Sequence, residues 1–268
     1  MSTFKFNFSG FENKDNSVNL NEKIKWLECE EVILDESSFF DEASHAKMFV
    51  CGEVEIGHVC PSKAILNILG DDAVEIADKQ HSDLVTGKYE GGLKIWECTY
   101  DLIQYLQDNM NSTEMDGIKV LDLGCGAGIL GIYLFLNGAY VTFQDYNKEV
   151  LENATIPNIQ LNIEDENKKN EIDKCRFFFG DWESFNHKLN SEVYDLIVTS
   201  ETIYNMENYE KLIDLLTKRL SKTGTAYVAA KTYYFGVGGG TRQFESSIEN
   251  NKLLKSEVCW KSSGGIQR

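Results

Sequence analysis

Basic side chains are in short supply: 26 Lys and Arg stand against 43 Asp and Glu, a formal net charge of −17. That shortage argues against a nucleic-acid binder that works by neutralising phosphates, and it favours a basic macromolecular partner. The deficit is densest early, with 18 acidic and 8 basic side chains in residues 1–90. Paired cysteines are missing as well. The seven cysteines, at 29, 51, 60, 98, 125, 175 and 259, are odd in number and contain no C-x-x-C pair, which disfavours a disulfide framework and a zinc ribbon and suits a reducing compartment. No apolar run of roughly eighteen residues occurs, and the start MSTFKFNFSG has no basic region followed by an apolar stretch. An intracellular, soluble protein with no membrane segment is expected. There is no internal repeat.

What is present is enough for one large or two small domains: 268 residues, 42% hydrophobic and 26% charged, able to bury a core. Residues 1–25 show no sustained period and read as a flexible arm, with Phe4, Phe6, Phe8 and Phe11 as a docking patch. Residues 26–34 suit a short strand, and Pro61 suits the first turn of a helix. We divide the chain into an acidic, partly flexible extension over 1–60 and a main domain over 61–268, its core starting near 94. There IWECTYDLIQYL sets a helical apolar stripe. Strands follow at 119–123, 140–146, 175–179, 194–200 and 225–230, with helices over 129–137 and 207–220 between them and a polar surface loop at 162–174. Strand alternating with helix predicts an α/β fold with a doubly wound, mainly parallel sheet. A sixth strand is expected at 253–261.

The densest chemical signal is KVLDLGCGAGILG, where a buried strand runs into Gly124, Gly126 and Gly128 and then into a helix. Glycines there let a ligand approach the backbone closely. Gly126, Gly128 and Gly131 also satisfy the dinucleotide fingerprint G-x-G-x-x-G, yet Gly124 already opens the turn and Asp122 stands just before it. A carboxylate is poor company for a pyrophosphate and good company for the ammonium and sulfonium of S-adenosylmethionine, the cofactor we favour. Asp145, ending the second strand about twenty residues on, suits ribose hydroxyls with either cofactor. Asp181 and Trp182 offer an adenine an acceptor and an aromatic face, or else are a capping Asp beside a core Trp. Cys51, His58 and Cys60, with Cys29 or His45, fit no standard zinc spacing, so no metal is expected. The segment 235–240 reads as a glycine-rich lip or a plain connection.

The strings GLKIWECTYDL, VLDLGCGAGILG, FQDYN, CRFFFGDW, TSETIYN and KTYYFGVGGG, in this order, resemble the protein-histidine methyltransferases of the seven-strand class over about residues 80–260. The resemblance implies a class I methyltransferase fold, S-adenosylmethionine as donor, and as acceptor a histidine in a large-subunit ribosomal protein. It implies cofactor contacts from Ile95, Trp96, Glu97, Cys98, Thr99, Gly124, Gln144, Asp145, Tyr146, Gly180, Asp181, Trp182 and Ser200, beside the Asp122, Gly126 and Gly128 already named. It also suggests a monomer in the cytoplasm and nucleus, nucleolus included, that binds no nucleic acid directly. The class ends its sheet with an antiparallel hairpin, and here the last strand is missing.

Methyl transfer from a sulfonium is an in-line displacement that needs positioning and exclusion of water more than a strong base. Neutral imidazole can attack, provided an acceptor holds its other ring N–H. Glu201, in TSETIYN, is the candidate for that role, with Tyr204 and Asn205 as orienters; alternatively Glu201 caps a helix or pairs with a lysine. The segment is not the Asn/Asp-Pro-Pro-aromatic sequence of enzymes that methylate adenine or glutamine amides. A lysine acceptor on the same fold, a nicotinamide oxidoreductase and a catalytically silent binding module are the alternatives.

Overall fold

The computed structural model describes residues 26–34, 46–60, 89–164 and 168–268. Within the first stretch only Glu30–Glu31 (β1) is strand. Ala46–Cys51 (β2) and Val54–Val59 (β3) pair antiparallel around Gly52. The stripe at 95–106 becomes the helix Glu97–Asn109 (α1), which buries Cys98, Leu102, Ile103 and Leu106. A short helix, Ser112–Met115 (α2), is held by a capping box between Asn111 and Glu114 and leads into Lys119–Leu123 (β4).

Next comes Ile129–Leu136 (α3), with seven of its eight residues buried. A helix apolar all round must be covered on all sides. Gly138, at φ +96°, ends it where the left-handed turn favours glycine. Tyr140–Asp145 (β5) follows. The next helix is interrupted: Lys148–Val150 (α4) passes through a π-helical turn, Leu151–Thr155, into Ile156–Leu161 (α5). Lys168–Glu171 (α6) and a 3₁₀ turn, Ile172–Lys174, precede Cys175–Phe179 (β6). The remainder is Trp182–Lys188 (α7), Tyr194–Ser200 (β7), Tyr209–Arg219 (α8), Leu220–Ala229 (β8) and Thr241–Asn251 (α9).

The main sheet runs β1-β6-β5-β4-β7-β8. β6, β5, β4, β7 and β8 are parallel, and β1 adds an antiparallel edge. Because successive strand residues point to opposite faces, the sheet feeds two cores. Val120, Phe177 and Val198 join Phe49, Leu102 and Ile132 on one side. Leu121, Phe178 and Ile197 join Phe185, Leu212 and Phe244 on the other. The sheet is covered on both faces, as the α/β alternation predicts. Arg219, buried at the end of α8, donates to Asn186 Oδ1 (2.6 Å) and to the carbonyls of Asn186, Asn190 and Glu192, tying the second layer together.

Two expectations are corrected. Residues 162–174 are not all surface loop, since the helical turns at their end bury Ile172 and an i,i+3 pair of Glu171 with Lys174 (2.7 Å) closes them. Residues 253–261 form no strand. Leu253 and Val258 are exposed, and the apolar alternation finds no ladder; among the described residues nothing pairs with the far edge of β8. The proposed boundary at residue 60 falls just after the β2–β3 hairpin. That hairpin packs on the domain through Gly57 N–H to Asn162 (2.9 Å) and Val59 N–H to Asn158 (2.7 Å). The arm over 1–25, the helix at Pro61, His45 and His81 lie outside the described residues.

Candidate active site

The carboxyl ends of β4, β5, β6 and β7 open on one cleft of about 910 Å³, mouth included, where ligands sit in doubly wound sheets. Its floor is the loop after β4. Gly124, Gly126 and Gly128 have φ of +66°, +52° and +75°, a left-handed series that side chains resist. A Cβ on Gly126 would stand 2.7 Å from the Gly92 carbonyl. Polar side chains turn the loop's carbonyls inward: Thr155 donates to Gly126 O (2.6 Å) and Asn158 to Ala127 O (2.8 Å).

Two carboxylates hold the loop's amides. Asp122 accepts from Gly131 N–H at 2.8 Å, in the first turn of α3, whose cap Gly128 has no side chain to offer. Asp145 accepts from Gly126 N–H (2.9 Å) and Asn147 N–H (3.0 Å). Burial pushes Asp122 up to about 7, with Asp145 adding a little and the Gly131 amide opposing. Burial raises Asp145 to about 6, against the amides of Asn147 and Gly126. Among the described residues no cation pairs with either. With both acids at the helix start the site has room for positive charge and none for a pyrophosphate, so the dinucleotide alternative loses its footing.

On the opposite wall Trp182 donates to Gln144 Oε1 (2.9 Å), and Gln144 donates to the carbonyls of Gly180 and Asp145, both at 2.8 Å. Asp181 caps α7 through Glu183 N–H (3.0 Å) and pairs with Lys211 (2.7 Å). Thr99 donates to Ser200 across the cleft (3.2 Å). On the remaining side the Tyr204 hydroxyl donates to the Glu90 carboxylate. Burial first and the Glu90 charge second hold that phenol protonated far above its ordinary range. Glu201 sits at φ +60°, rare for a side chain of its size. Its two oxygens are enclosed and accept no hydrogen bond. Lys231, 3.5 Å from Oε1, is its ion-pair partner.

Of the residues expected at the site, Ile95, Trp96, Thr99, Asp122, Gly124, Gly126, Asp145, Tyr146, Gly180, Asp181, Trp182, Ser200, Glu201 and Tyr204 line the cleft. Five do not. Gly128 lies beneath the loop, against Thr155. Cys98 is fully buried in the core. Glu97 points to Lys231 (3.2 Å) on the outside. Gln144 is a buried brace for Trp182. Asn205 caps the 3₁₀ turn Met206–Asn208 by accepting from Glu207 N–H (3.0 Å). Glu201 is paired with Lys231 and lines the cleft as well. Cleft residues not anticipated include Trp26, Glu90, Gly92, Lys94 and Thr202. The pair Gly91-Gly92 before LKIW was the available signal for the third of these; Trp26 had none. Among the described residues no three of His, Cys, Asp and Glu converge as metal ligands.

The family described as lysine methyltransferase matches residues 80–238, more than half of the sequence. The chain belongs to this methyltransferase family. It is 45% identical over 178 residues to a "Histidine protein methyltransferase 1 homolog" of Dictyostelium discoideum, covering 66% of this chain and 54% of that protein. With the Bos taurus protein of the same description it shares 42% over 225 residues, 75% of this chain and 60% of the relative. It thus spans a little over half the length of these relatives. The crystal structure of SMU.776 complexed with S-adenosylhomocysteine superposes with a TM-score of 0.50 at 14% identity, covering 83% of this chain and 50% of that chain. The architecture is that of the class I S-adenosylmethionine-dependent methyltransferases, as expected from the sequence. The parallel sheet and the cleft after β4 are present in full. The closing antiparallel hairpin of the class has no counterpart among the described residues.

Proposed function

We propose that this chain carries the catalytic domain of an S-adenosylmethionine-dependent protein-histidine N-methyltransferase. One observation carries the cofactor: two buried carboxylates, Asp122 and Asp145, flank a glycine loop without a partner cation. A ligand that brings an ammonium and a sulfonium would compensate them. Asp145 would take the ribose hydroxyls, since a carboxylate already holding two amides still has acceptor capacity. Tyr146 and Trp182, which line the same cleft, would meet the purine. When bound, the cofactor supplies an electrophilic methyl group; the protein aligns the acceptor and keeps water away.

The acceptor assignment is supported by the relatives' descriptions and by the chemistry available on the far wall. A neutral imidazole needs one ring nitrogen free and the other N–H held. Glu201, strained and without a hydrogen bond to either oxygen, is the candidate to hold it, with Tyr204, locked by Glu90, beside it. The net charge of −17 favours a Lys/Arg-rich substrate, and a large-subunit ribosomal protein before it meets its RNA fits that demand. Such a substrate places the enzyme in the cytoplasm and nucleus. A lysine acceptor is the second reading, favoured by the family's description. Incubation with labelled donor and ribosomal proteins, free and assembled, followed by mapping of the label by mass spectrometry, separates the two. Label on a histidine of a free protein is expected; label on lysine, on RNA or on nothing would overturn the assignment.

A further inference from the structure

The cofactor cleft has a wall that the glycine loop does not predict, delivered from 60 residues before the domain's expected core. Residues 26–31 form a strap across the end of β6. Glu30 and Glu31 pair with Phe179 and Phe178, and Val32 N–H adds a bond to Phe177 O (2.8 Å). Nearer the cleft, Leu27 N–H donates to the Tyr146 hydroxyl (3.3 Å), Asp181 N–H donates to Leu27 O (2.9 Å), and Cys29 N–H donates to Ser184 (2.8 Å). The strap lies so close that a Cβ on Gly180 would stand 2.7 Å from Cys29 Cα. At its head Trp26 enters the same cleft as Tyr146, Asp181 and Trp182. Lys211 fixes it: its ammonium sits 3.8 Å from the Trp26 ring centre and 2.7 Å from Asp181 Oδ2. The Tyr146 ring meets Trp26 edge-on at 6.2 Å.

These contacts redistribute the work of the purine end. Each Asp181 oxygen already holds one partner, the cap of α7 and Lys211, so that side chain is fixed in place beside Trp26. What the cleft offers a purine there is a set of aromatic surfaces held in place. We propose that Trp26 is a purine-binding residue, and that Lys211, through Asp181 and the Trp26 ring, is the positioning residue that holds the strap shut. The proposal rests on the cofactor reading above and names the part of the cofactor that the strap contacts.

Calorimetry on the full chain with S-adenosylhomocysteine and 5′-methylthioadenosine tests it, since both carry the purine and only the first carries the amino acid. Trp26→Ala is expected to weaken both ligands by about tenfold, the scale of one aromatic contact, while Trp26→Phe recovers most of the loss. Lys211→Met is expected to weaken both by a smaller factor, with amide protection of β6 retained. Ligand-induced quenching of tryptophan fluorescence should shrink in Trp26→Phe although binding persists. Unchanged affinity in Trp26→Ala would overturn the proposal, and so would a loss confined to S-adenosylhomocysteine, which would move Trp26 to the amino-acid end. If the unaltered chain bound neither ligand, the cofactor reading itself would fall and this one with it.

Discussion

The buried state of Asp122 makes cofactor binding depend on pH, with a sign and a size that can be worked out. Its carboxyl titrates at about 7 because burial penalises its charge, and a bound cation needs that charge. Between pH 6.0 and pH 7.5 the ionised fraction rises about eightfold, so this group alone should raise affinity for S-adenosylmethionine by about the same factor, or about 1.2 kcal/mol. That range stays below the titration of the ligand's own amino group, near ~8. The stability of the ligand-free chain should run the opposite way. A folded pKa raised above the unfolded ~3.9 means that stability present below about pH 4 is lost as pH climbs to about 7, by at most about 4 kcal/mol for this group. Asp122→Asn keeps the Gly131 amide satisfied and removes the charge. It should cut the slope to the about twofold rise that Asp145, raised to about 6, contributes over the same range, weaken the ligand at pH 7.5 by at least ~8-fold, and raise the melting temperature of the ligand-free chain at pH 8. Calorimetry in two buffers of different ionisation enthalpy would count the proton released. S-adenosylhomocysteine, which keeps the ammonium and lacks the sulfonium charge, shows which cation Asp122 serves. A flat affinity over this range in the unaltered chain, or a slope that stays about eightfold in Asp122→Asn, would refute the argument.

Asp145→Ala should weaken S-adenosylmethionine by about 1–3 kcal/mol through loss of a charged acceptor, with circular dichroism unchanged; equal affinity by calorimetry would remove Asp145 from the ribose. Gln144→Leu strands the Trp182 N–H and the Gly180 carbonyl, so unfolding in urea should show a loss of about 2 kcal/mol and S-adenosylhomocysteine should bind more weakly, although Gln144 does not line the cleft. Hydrogen exchange should find the amides of β8 that face β7 protected and their outward neighbours open, with 253–261 exchanging fast throughout; slow exchange across both segments would mean that another element covers that edge.

The parallel sheet was legible because each strand is a short apolar run between helical stripes. The glycine loop was legible because three alternating glycines after such a run have few other uses. Asp122 lines the cleft because it lies at the strand end that delivers Gly124. Gln144 and Glu97 were misplaced because a motif gives the positions near a ligand without saying which of them face it. Period two along β5 sends Gln144 into the protein, where Trp182 needs an acceptor. The polar run 162–174 hid Ile172 because two isoleucines, at 163 and 172, make no pattern. Residues 253–261 alternate like a strand, yet a strand exists only by its ladder, and the ladder partner is a nonlocal fact. Trp26 and Glu90 reach the cleft by tertiary pairing alone, so no local period could announce them.

The π-helical turn Leu151–Thr155 adds one residue to a helix that would otherwise wind evenly. In an α-helix one residue is about 100° of rotation, so deleting a single position from this turn would swing Thr155 and Asn158 away from the Gly126 and Ala127 carbonyls they now hold. The shortened helix would gain regular bonds and leave the cofactor loop unmoored. The surplus residue therefore works as a phase setter between helix and loop, and a one-position gap at 151–155 in a related chain would mark a protein that must anchor its glycines by other side chains.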